Sequence, residues 1–122
     1  MTKRTANSQP GCAFCRIACG QEASDILYQD DLVTAFRDIH PQAPTHILII
    51  PNRHIPAIAS TQYSDGELLS RMIAIANHIA TKEGIAQTGY RLVINNGPQA
   101  GQSVYHLHLH LLGGRRMGWP PG

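Results

Sequence analysis

The chain has 122 residues, one domain's worth, and its 43% apolar content is ordinary for a folded globular protein. A formal charge of +2 is too small to point to nucleic acid or an anionic membrane, and no apolar run is long enough to span a bilayer. Its three cysteines, Cys12, Cys15 and Cys19, crowd together, which makes a poor disulfide framework and suits a reducing compartment.

Residues 1–11 are polar and carry no apolar stretch of the kind that directs export, so a flexible tail and a cytoplasmic protein are expected. Residues 12–122 hold no repeat or linker and read as one domain. Ala13 to Cys19 predicts a short helix stopped by Gly20. Ile26 to Tyr28 and Leu32 to Arg37 predict strands joined at Asp30-Asp31, and Pro41 and Pro44 break the chain before a third strand, His46 to Ile50. Ser64 and Glu67 have capping-box spacing ahead of a long helix, with Leu68, Met72, Ile75, Ala76 and Ile79 as its buried stripe and Gly84 as its stop. Tyr90 to Asn95 predicts a fourth strand, Asn96 to Gln102 a glycine-punctuated loop, and Val104 to Leu112 a fifth strand ended by Gly113-Gly114. Strands outnumber helices and do not alternate with them. The expected class is α+β: a five-stranded, largely antiparallel sheet with one long and one short helix.

The fifth predicted strand carries the strongest chemical signal. His106, His108 and His110 alternate with Leu107, Leu109 and Leu111. Side chains alternate faces along a strand, so leucines share one face and imidazoles the other, successive rings lying roughly 6.6 Å apart. The leucine face can pack on the long helix, leaving the histidine face for chemistry. One polar histidine on a strand is usually just solvated. Three in register suggest either a metal cluster or phosphate chemistry, with one imidazole attacking and the others positioning charge. The preceding loop, Asn95 to Ser103, offers glycines that let a backbone approach a ligand and consecutive N–H groups that can cradle an anion. Cys12-Ala13-Phe14-Cys15 admits three readings: a redox pair, idle thiols, or half of a zinc site.

The run Gly101-Gln102-Ser103-Val104-Tyr105-His106-Leu107-His108-Leu109-His110-Leu111-Leu112-Gly113-Gly114 resembles the signature of the histidine triad family. Asp38-Ile39-His40-Pro41-Gln42-Ala43-Pro44-Thr45-His46 and the ending Trp119-Pro120-Pro121-Gly122 resemble its nucleoside phosphoramidase branch. The resemblance implies a purine nucleotide ligand, of the AMP or GMP type, and hydrolysis of a nucleoside phosphoramidate or acyl nucleotide without a catalytic cofactor. In it His108 is the nucleophile at the α-phosphorus. His110 and Ser103 contact the phosphate and leaving group, and His106 completes the triad. His46 is the histidine expected to orient His108. The resemblance places Asp38 on the ribose. Phe14, Ile17, Phe36 and Ile39 line the base pocket, and Asn95, Gly101, Gln102, Ser103 and Val104 form the phosphate cradle. It also implies a homodimer with one continuous sheet, and completes a structural zinc site from Cys12, Cys15, His54 and His106. The chain departs from the family pattern at Glu22, where an apolar residue often borders the base, which leaves adenine against guanine open. A partner protein with incidental catalysis, or a dinucleoside polyphosphate hydrolase, are the alternative functions.

Overall fold

The computed structural model describes residues 8–122. The expected tail falls partly outside the described residues; within them, Gln9 and Pro10 accept hydrogen bonds from the Cys12 amide and the Arg16 guanidinium. The elements are α1 (Ala13–Ala18), β1 (Ile26–Gln29), β2 (Val33–Arg37), β3 (Thr45–Pro51), α2 (Gly66–Lys82), β4 (Tyr90–Val93) and β5 (Leu109–Gly113), with short 3-10 turns between them. The strands form one antiparallel sheet in the order β1-β2-β3-β5-β4, the expected α+β class. No helix among the described residues is long and apolar enough to cross a membrane.

Every residue of β3 is buried, because both sheet faces are covered at its centre. This accounts for its run of isoleucines in place of an alternating pattern. On one face Val33, Ala35, Ile47, Ile49, Leu107, Leu109 and Leu111 pack on Leu68, Met72, Ile75, Ala76 and Ile79 of α2. The leucines of the triad segment thus anchor the main core, as their alternation predicts. On the opposite face Phe36, Leu48 and Ile50 pack on Phe14, Ile17 and Ala18 of α1. Met72 is 1% exposed within the main core, and deleting buried methylenes leaves a cavity. Met72→Ala is expected to cost about 2–5 kcal/mol in urea unfolding, with an unchanged denaturant slope.

Three local expectations are corrected. The capping box is made by Gln62 and Asp65, two residues earlier than Ser64 and Glu67, on the 3-10 turn that precedes α2. Asp65 accepts from the Gln62 amide at 2.8 Å and is held by the Arg53 guanidinium at 2.6 Å, so Ser64 sits inside a 3-10 turn ahead of α2. The fifth strand begins at Leu109 and runs through Gly113; it does not begin at Val104. Before it, the Leu107 amide bonds Ile55 O at 2.6 Å, and the chain bends away from the sheet ladder. The fourth strand stops at Val93, whose partner His110 lies at the start of β5. Gly113 lies so close to Ile85 that an added Cβ would stand 2.5 Å from its Cδ1, so only glycine fits without repacking.

Candidate active site

A cavity of about 370 Å³ opens on the α1 face of the sheet. Phe14 and Ile17 of α1, Phe36 of β2 and Leu48 of β3 form apolar walls, and Asp38, Ile39 and His40 follow β2 along the rim. Ser103, Val104, His108 and His110 close one end. The structure therefore gathers nine of the predicted site residues, Phe14, Ile17, Phe36, Asp38, Ile39, Ser103, Val104, His108 and His110, around one space. Asn95, Gly101 and Gln102 lie off its wall. Gln102 is buried and braces the loop: its Oε1 accepts from Gly97 N, and its Nε2 donates to Pro56 O and Val104 O. Leu48, His40, Ala13 and Ser24 line the cavity without having been singled out. Leu48 could have been found from the period of two that it shares with His46.

Hydrogen-bond partners assign the imidazole tautomers. His108 Nδ1 lies 2.7 Å from the backbone oxygen of His106. A carbonyl only accepts, so Nδ1 carries the proton and Nε2 keeps a free lone pair. His46 Nδ1 accepts from the Gln42 amide at 2.9 Å, which leaves the proton on Nε2. That proton points at His110 Nδ1, 2.9 Å away. His110 therefore bears its proton on Nε2, a buried atom with no partner. The result is a relay from the Gln42 amide through His46 to an unmet donor on His110. The expectation that His46 orients His108 is corrected: the sheet register pairs Leu48 with His110 and puts His46 on the diagonal, within reach of His110. His110 in turn packs edge-on against His108, ring centroids 4.9 Å apart, closer than the straight-strand spacing. Asp38 Oδ1 accepts from the His40 amide at 2.8 Å, and its Oδ2 lies 3.5 Å from His46 Nε2.

Burial lowers the basicity of His46, against a smaller pull from Asp38. Burial first, then the neighbouring His108 and His46, push His110 down to about 4. His110 is thus a neutral donor at pH 7. Its folded pKa lies below the ordinary histidine value, so the unfolded chain binds the proton more readily. Its contribution to stability is complete above about pH 6.5 and is lost as pH falls towards 4. Between pH 7.5 and pH 4.5, the wild type is expected to lose about 2 kcal/mol more than His110→Asn, measured by urea unfolding. Equal losses would show that the buried imidazole does not carry this dependence.

His106 faces away from the cavity. Its Nε2 donates to Pro51 O at 2.8 Å, and its Nδ1 lies 3.2 Å from Cys12 Sγ and 3.5 Å from Cys15 Sγ. His54 Nδ1 is 3.3 Å from Cys15 Sγ, and the four donor atoms all lie within 4.8 Å of one another. A tetrahedral zinc with bonds of ~2.3 Å to sulfur and ~2.0–2.1 Å to nitrogen has a sulfur–nitrogen edge of about 3.5 Å. The set fits that tetrahedron in both chemistry and spacing. Burial raises the Cys15 thiol pKa and lowers His106 to about 4; a divalent cation at the point where the four groups converge would draw out the thiol protons.

The HIT domain family description matches residues 20–117. A purine nucleoside phosphoramidase of Escherichia coli (strain K12) is 57% identical over 105 residues, covering 86% of this chain and 88% of the relative. A 14 kDa zinc-binding protein of Zea mays is 49% identical over 111 residues, covering 89% and 86%. The crystal structure of a HIT family hydrolase from Legionella pneumophila Philadelphia 1 superimposes with a TM-score of 0.90 at 51% identity, covering 92% of this chain and all of that one. The chain belongs to the HIT domain family. Within that family it is an enzyme, a hydrolase.

Proposed function

We propose that this hydrolase cleaves purine nucleoside 5′-phosphoramidates, and acyl nucleotides, releasing the nucleoside monophosphate. The observation that carries the reading is the tautomer pattern: His108 keeps an unprotonated Nε2 and His110 an unmet Nε2–H, and both residues line the same cavity. His108 Nε2 attacks the α-phosphorus, forming a nitrogen–phosphorus bond. The bond to the leaving nitrogen breaks, and that nitrogen departs with the electron pair and takes up a proton. The His106 carbonyl stabilises the positive nucleotidyl-imidazole through His108 Nδ1–H. Water then attacks phosphorus, the electron pair returns to Nε2, and a proton is released. His110 Nε2–H and the Ser103 hydroxyl hold the non-bridging oxygens and the leaving group, with the backbone of Ser103 and Val104 flanking the phosphate. Asp38 takes the ribose hydroxyls, and the base lies among Phe14, Ile17, Phe36 and Ile39. The apolar walls and the similarity to the Escherichia coli enzyme support this placement.

Cys12, Cys15, His54 and His106 hold a closed structural zinc, which ties the start of α1 to the triad segment. When bound, the zinc supplies a cross-link and no open position for catalysis. Residues 12–122 form the histidine triad domain, in the cytoplasm. The chain works as a two-fold homodimer whose sheets join at an edge strand, which removes an exposed backbone edge. Neither nucleic acid nor membrane is a partner. Adenosine and guanosine 5′-phosphoramidates, followed by ³¹P NMR, test the reading. Catalytic turnover to the monophosphate is expected. Tight monophosphate binding without turnover would instead favour a nucleotide-binding partner protein.

A further inference from the structure

Two carboxylates line the cavity, Asp38 and Glu22. Asp38 Oδ1 accepts from the His40 amide, and its Oδ2 lies 3.5 Å from His46 Nε2, beside the triad. Glu22 lies on the segment between α1 and β1. Phe14 touches His108 edge-on, with ring centroids 5.2 Å apart, and Ile17 lies one helical turn further along α1. Beyond it the chain folds back, the amides of Gln21 and Glu22 bonding Arg16 O. Along the chain from Phe14, which touches the nucleophile, the cavity lining continues through Ile17 to Glu22. Arg16 Nε holds Glu22 Oε1 at 3.0 Å, and Arg16 is itself pinned by Pro10 O at 2.9 Å. The carboxylate of a residue that lines the cavity is thus fixed by Arg16 through one lone pair of Oε1.

We infer that Glu22 selects the base, favouring guanine over adenine. This rests on the nucleotide reading of the cavity given above. Guanine presents N1–H and the N2 amine side by side, a donor pair that a carboxylate accepts through two parallel bonds. Adenine offers an unprotonated N1 at the same place, which repels the carboxylate. The apolar walls stack either purine equally, so discrimination falls to the one charged group at the edge. Glu22 is half exposed and remains part-hydrated, which keeps the expected preference moderate.

Calorimetric titration of the intact protein with GMP, IMP and AMP tests this. GMP is expected to bind about tenfold more tightly than AMP, with IMP, which lacks the N2 amine, in between. In Glu22→Ala the GMP-to-AMP ratio is expected to fall to within about twofold of unity, with AMP affinity unchanged or improved. Glu22→Gln is expected to keep part of the GMP preference through its remaining carbonyl. A wild-type ratio near unity, or a preference that survives Glu22→Ala, would overturn the assignment of the base to Glu22 and leave the nucleotide cavity standing. If none of the three monophosphates binds, the nucleotide reading itself fails.

Discussion

His108→Gly is expected to lower single-turnover release of the monophosphate by about 10⁴-fold or more, because the variant has no atom to form the bond to phosphorus. Affinity for the product monophosphate should change by less than about fivefold, since the apolar walls and Asp38 remain in place. His108 is 8% exposed, so glycine leaves a ring-sized space beside Phe14 and His110. Added free imidazole is expected to enter that space and restore part of the turnover. Rapid-quench kinetics with and without imidazole make the measurement. Turnover within tenfold of the wild type would remove His108 as the nucleophile. Loss of affinity in parallel with turnover would instead point to a collapsed site.

Removing zinc should have the largest effect on stability. Protein purified without chelator or nickel resin is expected to carry one equivalent by elemental analysis. Stripping it should lower the melting temperature by about 10 °C or more, since a closed structural site contributes its binding energy to folding. Cys12 and Cys15 open α1, while His54 follows β3 and His106 precedes β5, so the metal cross-links segments far apart in the chain. Cys15→Ser is expected to reproduce the loss in the metal-free direction and to make melting insensitive to added zinc. Less than about a tenth of an equivalent, with no change on adding metal, would show that the thiols are idle.

Local chemistry is what the sequence by itself determined. The period of two in Leu107, Leu109 and Leu111 marked the buried face, and the helical stripe from Leu68 to Ile79 marked its partner, because burial follows directly from side-chain direction along a regular backbone. The histidine triad with its preceding glycine loop was legible for the same reason, as was the spacing of the two cysteines.

Which side chains meet was decided by the tertiary structure. The register of β3 against β5 gave His46 to His110 and not to His108, a matter of one diagonal step that no local pattern records. His106 stays on the α1 face with the other imidazoles, but its bond to Pro51 O, made across the fold, holds its ring at the thiols and off the cavity. Arg53 moved the helix cap from Ser64 to Gln62 and Asp65 by fixing a carboxylate twelve residues away. Gln102, expected at the phosphate, became a brace because Pro56 O stood within its reach. In each case the deciding partner lies on a different segment. Propensity acts within a turn or two of the chain, whereas register and long-range hydrogen bonds exist only once the sheet has closed.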